Sequence, residues 1–238
     1  MLNTILDVCS SQNLKVAKIC YYGSHAFGLN NNSSDEDFLV VVVDSYSSYV
    51  GLEPVTYKTQ FKLNGSDILL VDLKKYHHYL NKPTFNALVS MYSPLWLSGL
   101  FNTTVDVNQF SVKRIAHHLL GTLNNNSFNK KYKFYSALLL EYLVTYRQFP
   151  QTLDFRDLLS ELPNVHYAIS ASLFAYKNET PIPSDIVLPI LHSHNELNSL
   201  PDNKINASKM WLNNLERIRN MSDVIIHNNE KDDVSWNS

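Results

Sequence analysis

The spacing of apolar residues changes near residue 73, and the change divides the chain into a strand-forming and a helix-forming region. Leu2, Ile5, Leu6 and Cys9 have helical spacing and predict a short helix over residues 2–12. Val16 to Tyr22 is rich in strand formers and stops at Gly23. Phe38 to Val43 is an unbroken apolar run, the pattern of a central strand covered on both faces. Ser45 to Pro54 reads as a loop of serines and tyrosines. Thr56 to Leu63 alternates and runs into Asn64-Gly65, a hairpin signal, after which Asp67 to Leu73 returns as the partner strand. These segments predict a small mixed sheet of four strands.

Beyond Leu73 the helical period takes over. Residues 73–82 and 84–98 read as helices, the second opening after Pro83 with Thr84 as cap. Phe110–Leu123, Lys131–Phe149, Phe155–Leu162, Val165–Tyr176, Ser184–Leu197 and Asn206–Arg219 read as further helices. The Lys131–Phe149 segment carries an apolar stripe through Phe134, Leu138, Leu139, Tyr142 and Tyr146. The expected fold class is α+β, with a sheet domain over residues 1–100, an α-helical domain over 101–227 and a flexible polar tail over 228–238.

Composition narrows the function classes. Hydrophobic residues make up 45% of the 238 positions and charged residues 18%, which predicts a packed core. A net charge of −2 provides no global attraction to nucleic acid or anionic membrane, so phosphate binding has to come from a local patch. The two cysteines, Cys9 and Cys20, form no metal-type spacing and no disulfide framework, which suits the cytoplasm. Met1 to Asp7 lacks the signature of a signal peptide, and Phe38–Val43 is too short to span a bilayer, so no membrane association is expected.

The candidate chemistry lies between the first two predicted strands. Gly23-Ser24 stands at the end of one, where a small, flexible pair lets backbone N–H groups approach phosphate. Asp35-Glu36-Asp37 opens the other. Strand alternation sends Asp35 and Asp37 to one face and Glu36 to the opposite one. A carboxylate pair of this kind, with a third from a neighbouring strand, can hold divalent ions that clamp an in-line phosphoryl displacement. Asp67, on the hairpin, is the favoured third carboxylate. Asp72 is its competitor, but its place before the 73–82 helix suits an N-cap. Adjacent histidines at His77-His78 and His117-His118 point to different sides of a helix, so core or surface roles fit them better than metal binding. Lys131 and Lys133 open a helix, where positive charge opposes the dipole, and become candidates for phosphate contact.

Gly23-Ser24-His25-Ala26-Phe27-Gly28-Leu29, followed by Ser34-Asp35-Glu36-Asp37, resembles the polymerase-β-like minimal nucleotidyltransferases. The similarity is closest to predicted bacterial and phage members associated with RNA repair. Ser66-Asp67-Ile68 and Asp72-Leu73-Lys74-Lys75-Tyr76 resemble that family's third-Asp strand and the helix after it. Looser similarity reaches Lys131–Ala137, Leu153-Asp154-Phe155 and Leu200-Pro201-Asp202. Two departures stand out: Asn86 and Ala87 where the family often has a Glu, and Leu138-Leu139-Leu140 where it often has an Arg.

The resemblance implies an NTP-dependent, ATP-binding type of transferase using Mg²⁺, with Mn²⁺ as the alternative. Asp35, Asp37 and Asp67 would be catalytic and metal-binding; Gly23, Ser24, Lys131 and Lys133 would contact the nucleotide. The acceptor is left open among an RNA or tRNA end, a protein hydroxyl and a small molecule. The rival expectation is a non-catalytic, antitoxin-like binding module on the same fold.

Overall fold

Strand β2 (Asp37–Val43) is the centre of the molecule, and every residue from Phe38 to Val43 is buried. The structure is a computed structural model that describes residues 1–30, 34–51, 58–81, 84–93, 95–98, 101, 103, 105–125, 130–162, 194–203 and 207–232. β1 (Lys15–Tyr22) lies antiparallel on one side of β2, and β4 (Ser66–Asp72) lies parallel on the other. β3 (Lys58–Leu63) and β5 (Leu95–Ser98) close the edges, giving the order β3-β4-β2-β1-β5.

Alternation along β2 feeds two cores. Phe38, Val40 and Val42 join Ile19, Ile68 and Leu70 beneath α1 (Leu2–Ser11), which contributes Ile5 and Cys9. Leu39, Val41 and Val43 face the opposite way, with Leu69 and Val71, toward the remaining helices. Each such side chain contributes about 1.5–3 kcal/mol by leaving water. That term holds the register, because a slip of one residue would exchange the two faces. Asn64 and Gly65 have φ of 51° and 91°, the left-handed pair that a two-residue hairpin turn requires.

The expected four-stranded sheet has a fifth strand. The predicted helix over 84–98 ends early: α5 (Phe85–Tyr92) stops, Ser93 turns extended at φ −65° and ψ 139°, and 95–98 pairs with β1. Pro94 explains the break, since a proline drives the preceding residue out of helical geometry. The segment expected as a loop after Ser45 contains α3 (Tyr46–Val50), capped by the Ser45 side chain, which accepts the Ser48 N–H at 3.3 Å. α4 (Leu73–Asn81) follows β4 directly.

The helical part comprises a 3₁₀ turn (Val107–Gln109), α6 (Val112–Asn124), α7 (Lys130–Tyr146), α8 (Phe155–Glu161), α9 (His194–Asn198) and α10 (Ala207–Asp232). The 228–232 stretch, expected as tail, continues α10, while 233–238 lies outside the described residues. The helix predicted over Val165–Tyr176 and most of Ser184–Leu197 also lie outside them. Leu39 and Val41 from the sheet, Tyr76 and Leu88 from α4 and α5, and Ile115 and Leu138 from α6 and α7 belong to one apolar core. Among the described residues no helix is long and apolar enough to cross a membrane.

Candidate active site

The parallel register pairs Phe38 with Ile68 and Leu39 with Leu69, which sets Asp37 beside Asp67 at the open end of the two strands. The Asp67 backbone N–H donates to Asp37 Oδ1 at 3.1 Å. Alternation puts both side chains on the face of Leu39 and Leu69, toward the helices. Gly23 backs Asp37. Its φ is +64°, and a Cβ there would fall 2.4 Å from Asp37 Oδ2. Only glycine suits both the left-handed backbone and that close approach.

Asp35 stands apart from this pair. It is exposed and precedes the first residue of β2, outside any helix or strand. Among the described residues no three His, Cys, Asp or Glu side chains converge to cage a metal ion by themselves. Ser24 is buried in α2 (Gly23–Ala26), and its carbonyl accepts the Leu29 N–H at 2.9 Å, closing the loop on itself. Lys133 lies half-buried on α7. Lys131 is in the first turn of the same helix, with its side chain outside the described residues.

Asp72 is elsewhere. It is fully buried at the far end of β4, opposite Val42. Oδ1 accepts the Lys74 and Lys75 N–H groups at 2.8 and 3.3 Å, as an N-cap does, and Oδ2 accepts the Tyr49 hydroxyl at 2.5 Å. Burial pushes its carboxyl above the ordinary value, against the pull of these donors.

Two tyrosines near Asp37, Tyr22 and Tyr132, escaped the reading of the sequence, which had marked only their neighbour Asn86. The Tyr132 hydroxyl, on α7, interacts with that of Tyr22, and the Tyr22 hydroxyl donates to Asn86 Oδ1 at 3.0 Å. The Tyr132 ring is held edge-on against Phe27 and Phe85, at 6.3 and 6.4 Å between centroids. Burial raises both phenols above their ordinary value, and the charge of Asp37 adds to that. Asn86 had one visible signal, its departure from the family pattern. Tyr132 had only its place between the two lysines.

Gly28, the second glycine of the loop, also has a positive φ, +66°, and a Cβ there would lie 2.1 Å from Asp154 Oδ2. Asp154 caps α8 by accepting the Arg156 N–H at 2.8 Å, and the Phe155 N–H donates to the Phe27 carbonyl at 2.9 Å. The helical part thus closes directly on the Gly23–Gly28 turn.

The model of the RNA repair pathway DNA polymerase beta family matches residues 2–147. The chain belongs to that family. The match runs from α1 through the five strands and ends with α7, so it takes in the sheet, the carboxylate pair and the helix that carries Tyr132. A search of curated proteins finds no match. A polymerase-β-like nucleotidyltransferase function in the general sense follows from the membership, on a sheet-plus-helix fold of the expected class.

Proposed function

We propose that the protein transfers an NMP group from an NTP to an acceptor hydroxyl, using a divalent metal held by Asp35, Asp37 and Asp67. The observation that carries this reading is the Asp37–Asp67 pair, set side by side on one face by the β2–β4 register. Mg²⁺ suits such a pair, because it takes oxygen ligands, binds through one or two carboxylates and fills its shell with water and substrate phosphates. The Gly23 cradle, which a Cβ would fill, keeps the approach to Asp37 open. When bound, the ion would supply charge neutralisation on the triphosphate.

In this reading the protein's groups position and relieve charge. Gly23 and Ser24 offer backbone N–H groups to the β- and γ-phosphates, and Lys131 and Lys133 add positive charge from α7. Asp67 accepts the proton of the acceptor hydroxyl. That oxygen forms a bond to the α-phosphorus, the bond from the α-phosphorus to the bridging oxygen breaks, and pyrophosphate leaves with the electron pair. Alignment of nucleophile and leaving group is the main source of rate, as expected for phosphoryl-type transfer. The half-buried amide of Asn86, where the family often has a Glu, gives this wall of the site no charge of its own.

The test is incubation with each α-³²P-labelled NTP, Mg²⁺, and RNA, lysate protein or an aminoglycoside. Label on one acceptor class, lost in Asp35→Asn/Asp37→Asn, is the expected result. Equal labelling by the folded double variant would overturn the proposal. The second reading, a non-catalytic binding module, is favoured by the exposed position of Asp35 off the strand. A folded wild-type protein that transfers no label from any NTP would support it.

A further inference from the structure

The exposed position of Asp35 raises a physical question. Among the described residues the β1–β2 ladder ends at Tyr22 and Asp37, so that ladder does not set which way residues 34–36 face. Three carboxylates stand in a row there, Asp35, Glu36 and Asp37. Without another constraint the segment before Asp37 could turn by one residue, which would exchange Glu36 for Asp35 on the site face.

The constraint comes from the opposite face of the sheet. The Tyr21 hydroxyl donates to Glu36 Oε1 at 3.1 Å. Tyr21 is itself fixed. Its ring stacks on Phe38 at 5.3 Å and on His25 at 5.4 Å, with interplanar angles of 24° and 18°. The carbonyl of Tyr21 accepts the Ser93 hydroxyl at 2.7 Å. On the other side of Asp35, His25 Nε2 faces the Ser34 carbonyl at 3.5 Å, a long contact that adds little energy but shows where the ring points. The residues flanking Asp35 therefore both meet the Tyr21–His25 stack. Both aromatic residues are half-buried and neither points at the carboxylate pair.

Resting on the metal-site reading above, we propose that Tyr21 is the positioning residue of Asp35. By holding Glu36 on the back of the sheet, it makes the chain alternate before β2 begins, so that Asp35, exposed and short of the pair in this structure, leaves the chain on the side of Asp37 and Asp67 and can close on an ion they hold. It also keeps a fourth carboxylate, that of Glu36, out of the site. His25 supports the Tyr21 ring and does no chemistry on the substrate.

Tyr21→Phe tests this, because it keeps both ring stacks and removes only the hydroxyl. Mn²⁺ affinity is measured by electron paramagnetic resonance on the full chain, with amide hydrogen exchange at residues 34–37 and thermal melting alongside. The expected result is Mn²⁺ binding about tenfold weaker, the scale of losing a group that orients a metal ligand. Exchange at 34–37 should be faster, with a melting temperature within about 2 °C of wild type. Glu36→Gln still accepts the Tyr21 hydroxyl and should bind Mn²⁺ within about threefold of wild type, whereas Glu36→Ala should match Tyr21→Phe. Wild-type affinity in Tyr21→Phe would overturn the proposal, and so would a Glu36→Gln variant as weak as Glu36→Ala. A wild-type chain that binds no Mn²⁺ would instead overturn the metal-site reading on which the proposal rests.

Discussion

Gly28 and the Asp154 carboxylate pack so closely that a single added carbon at residue 28 would fall 2.1 Å from Asp154 Oδ2. The contact ties the motif loop to the N-terminus of α8, some 126 residues later in the chain. Gly28→Ala is expected to destabilise the fold by about 1–3 kcal/mol, through the positive φ and the collision together. Asp154→Ala should cost about 1 kcal/mol through the lost cap. In the double variant the collision is gone, so its loss should be smaller than the sum. Urea denaturation of the four proteins measures the coupling, and strictly additive losses would refute the contact.

Asp67 and Asp72 lie on one strand with opposite surroundings. Asp67→Asn is expected to lower NMP transfer by about 100-fold or more, with stability changed by less than about 0.5 kcal/mol. Asp72→Asn turns an amide N–H₂ toward the Tyr49 hydroxyl and removes a buried acceptor. It should cost about 1–3 kcal/mol of stability while transfer per folded molecule persists. Steady-state transfer rates and denaturation curves for both variants would expose an exchange of these roles.

Gly23→Ala should separate site geometry from stability. The new methyl group would meet Asp37 Oδ2 at 2.4 Å and push the carboxylate from its place beside Asp67. Transfer is expected to fall by about tenfold or more, since ångström-scale displacement of a reacting geometry costs that much. The accompanying loss of stability should be about 1–2 kcal/mol from the positive φ. Unchanged kinetics in a folded Gly23→Ala protein would count against the cradle.

His77 makes stability depend on acid pH. It is buried between α4 and α10, and Asn214 Nδ2 donates to its Nε2 at 2.9 Å, which requires that nitrogen to be unprotonated. The His77 ring also lies 5.8 Å from the Trp211 ring. Burial pushes the imidazole down to about 4 from 6.5. With the folded value depressed, the unfolded chain binds more protons between these two values. Stability is therefore full above about pH 6.5 and falls as pH drops toward 4, by up to about 3 kcal/mol. Urea midpoints at pH 7.0, 5.5 and 4.5 should show that slope in the wild type and a flatter one in His77→Gln, which keeps an acceptor for Asn214. Equal slopes would assign the acid sensitivity to other groups.

The strands and their faces were legible because their signals are local. The apolar run of β2, the Asn64-Gly65 turn and the alternation of Asp37 with Leu39 each depend on residues a few positions apart. The same logic reached the cap role of Asp72, which its place before a helix announces. It missed β5, because a four-residue edge strand borrows its stability from β1 and leaves little pattern of its own. It extended α5 across Pro94 by weighing period above backbone sterics.

What the chain by itself determined is therefore the set of elements, the two faces of the sheet and the identity of the acidic and glycine residues, since periodicity and turn chemistry are short-range. Only the tertiary structure decided that Asp67 lies beside Asp37, since that pairing depends on a parallel register across 30 residues. It alone brought Tyr132 into the field of the same carboxylates, joined Asn86 to Tyr22 and set Asp154 against Gly28. It also placed Asp35 apart, at the motif's first carboxylate, with Tyr21 and Glu36 joined behind it. Such contacts join residues far apart in the chain through packing and strand order, and no local pattern of residue types records them.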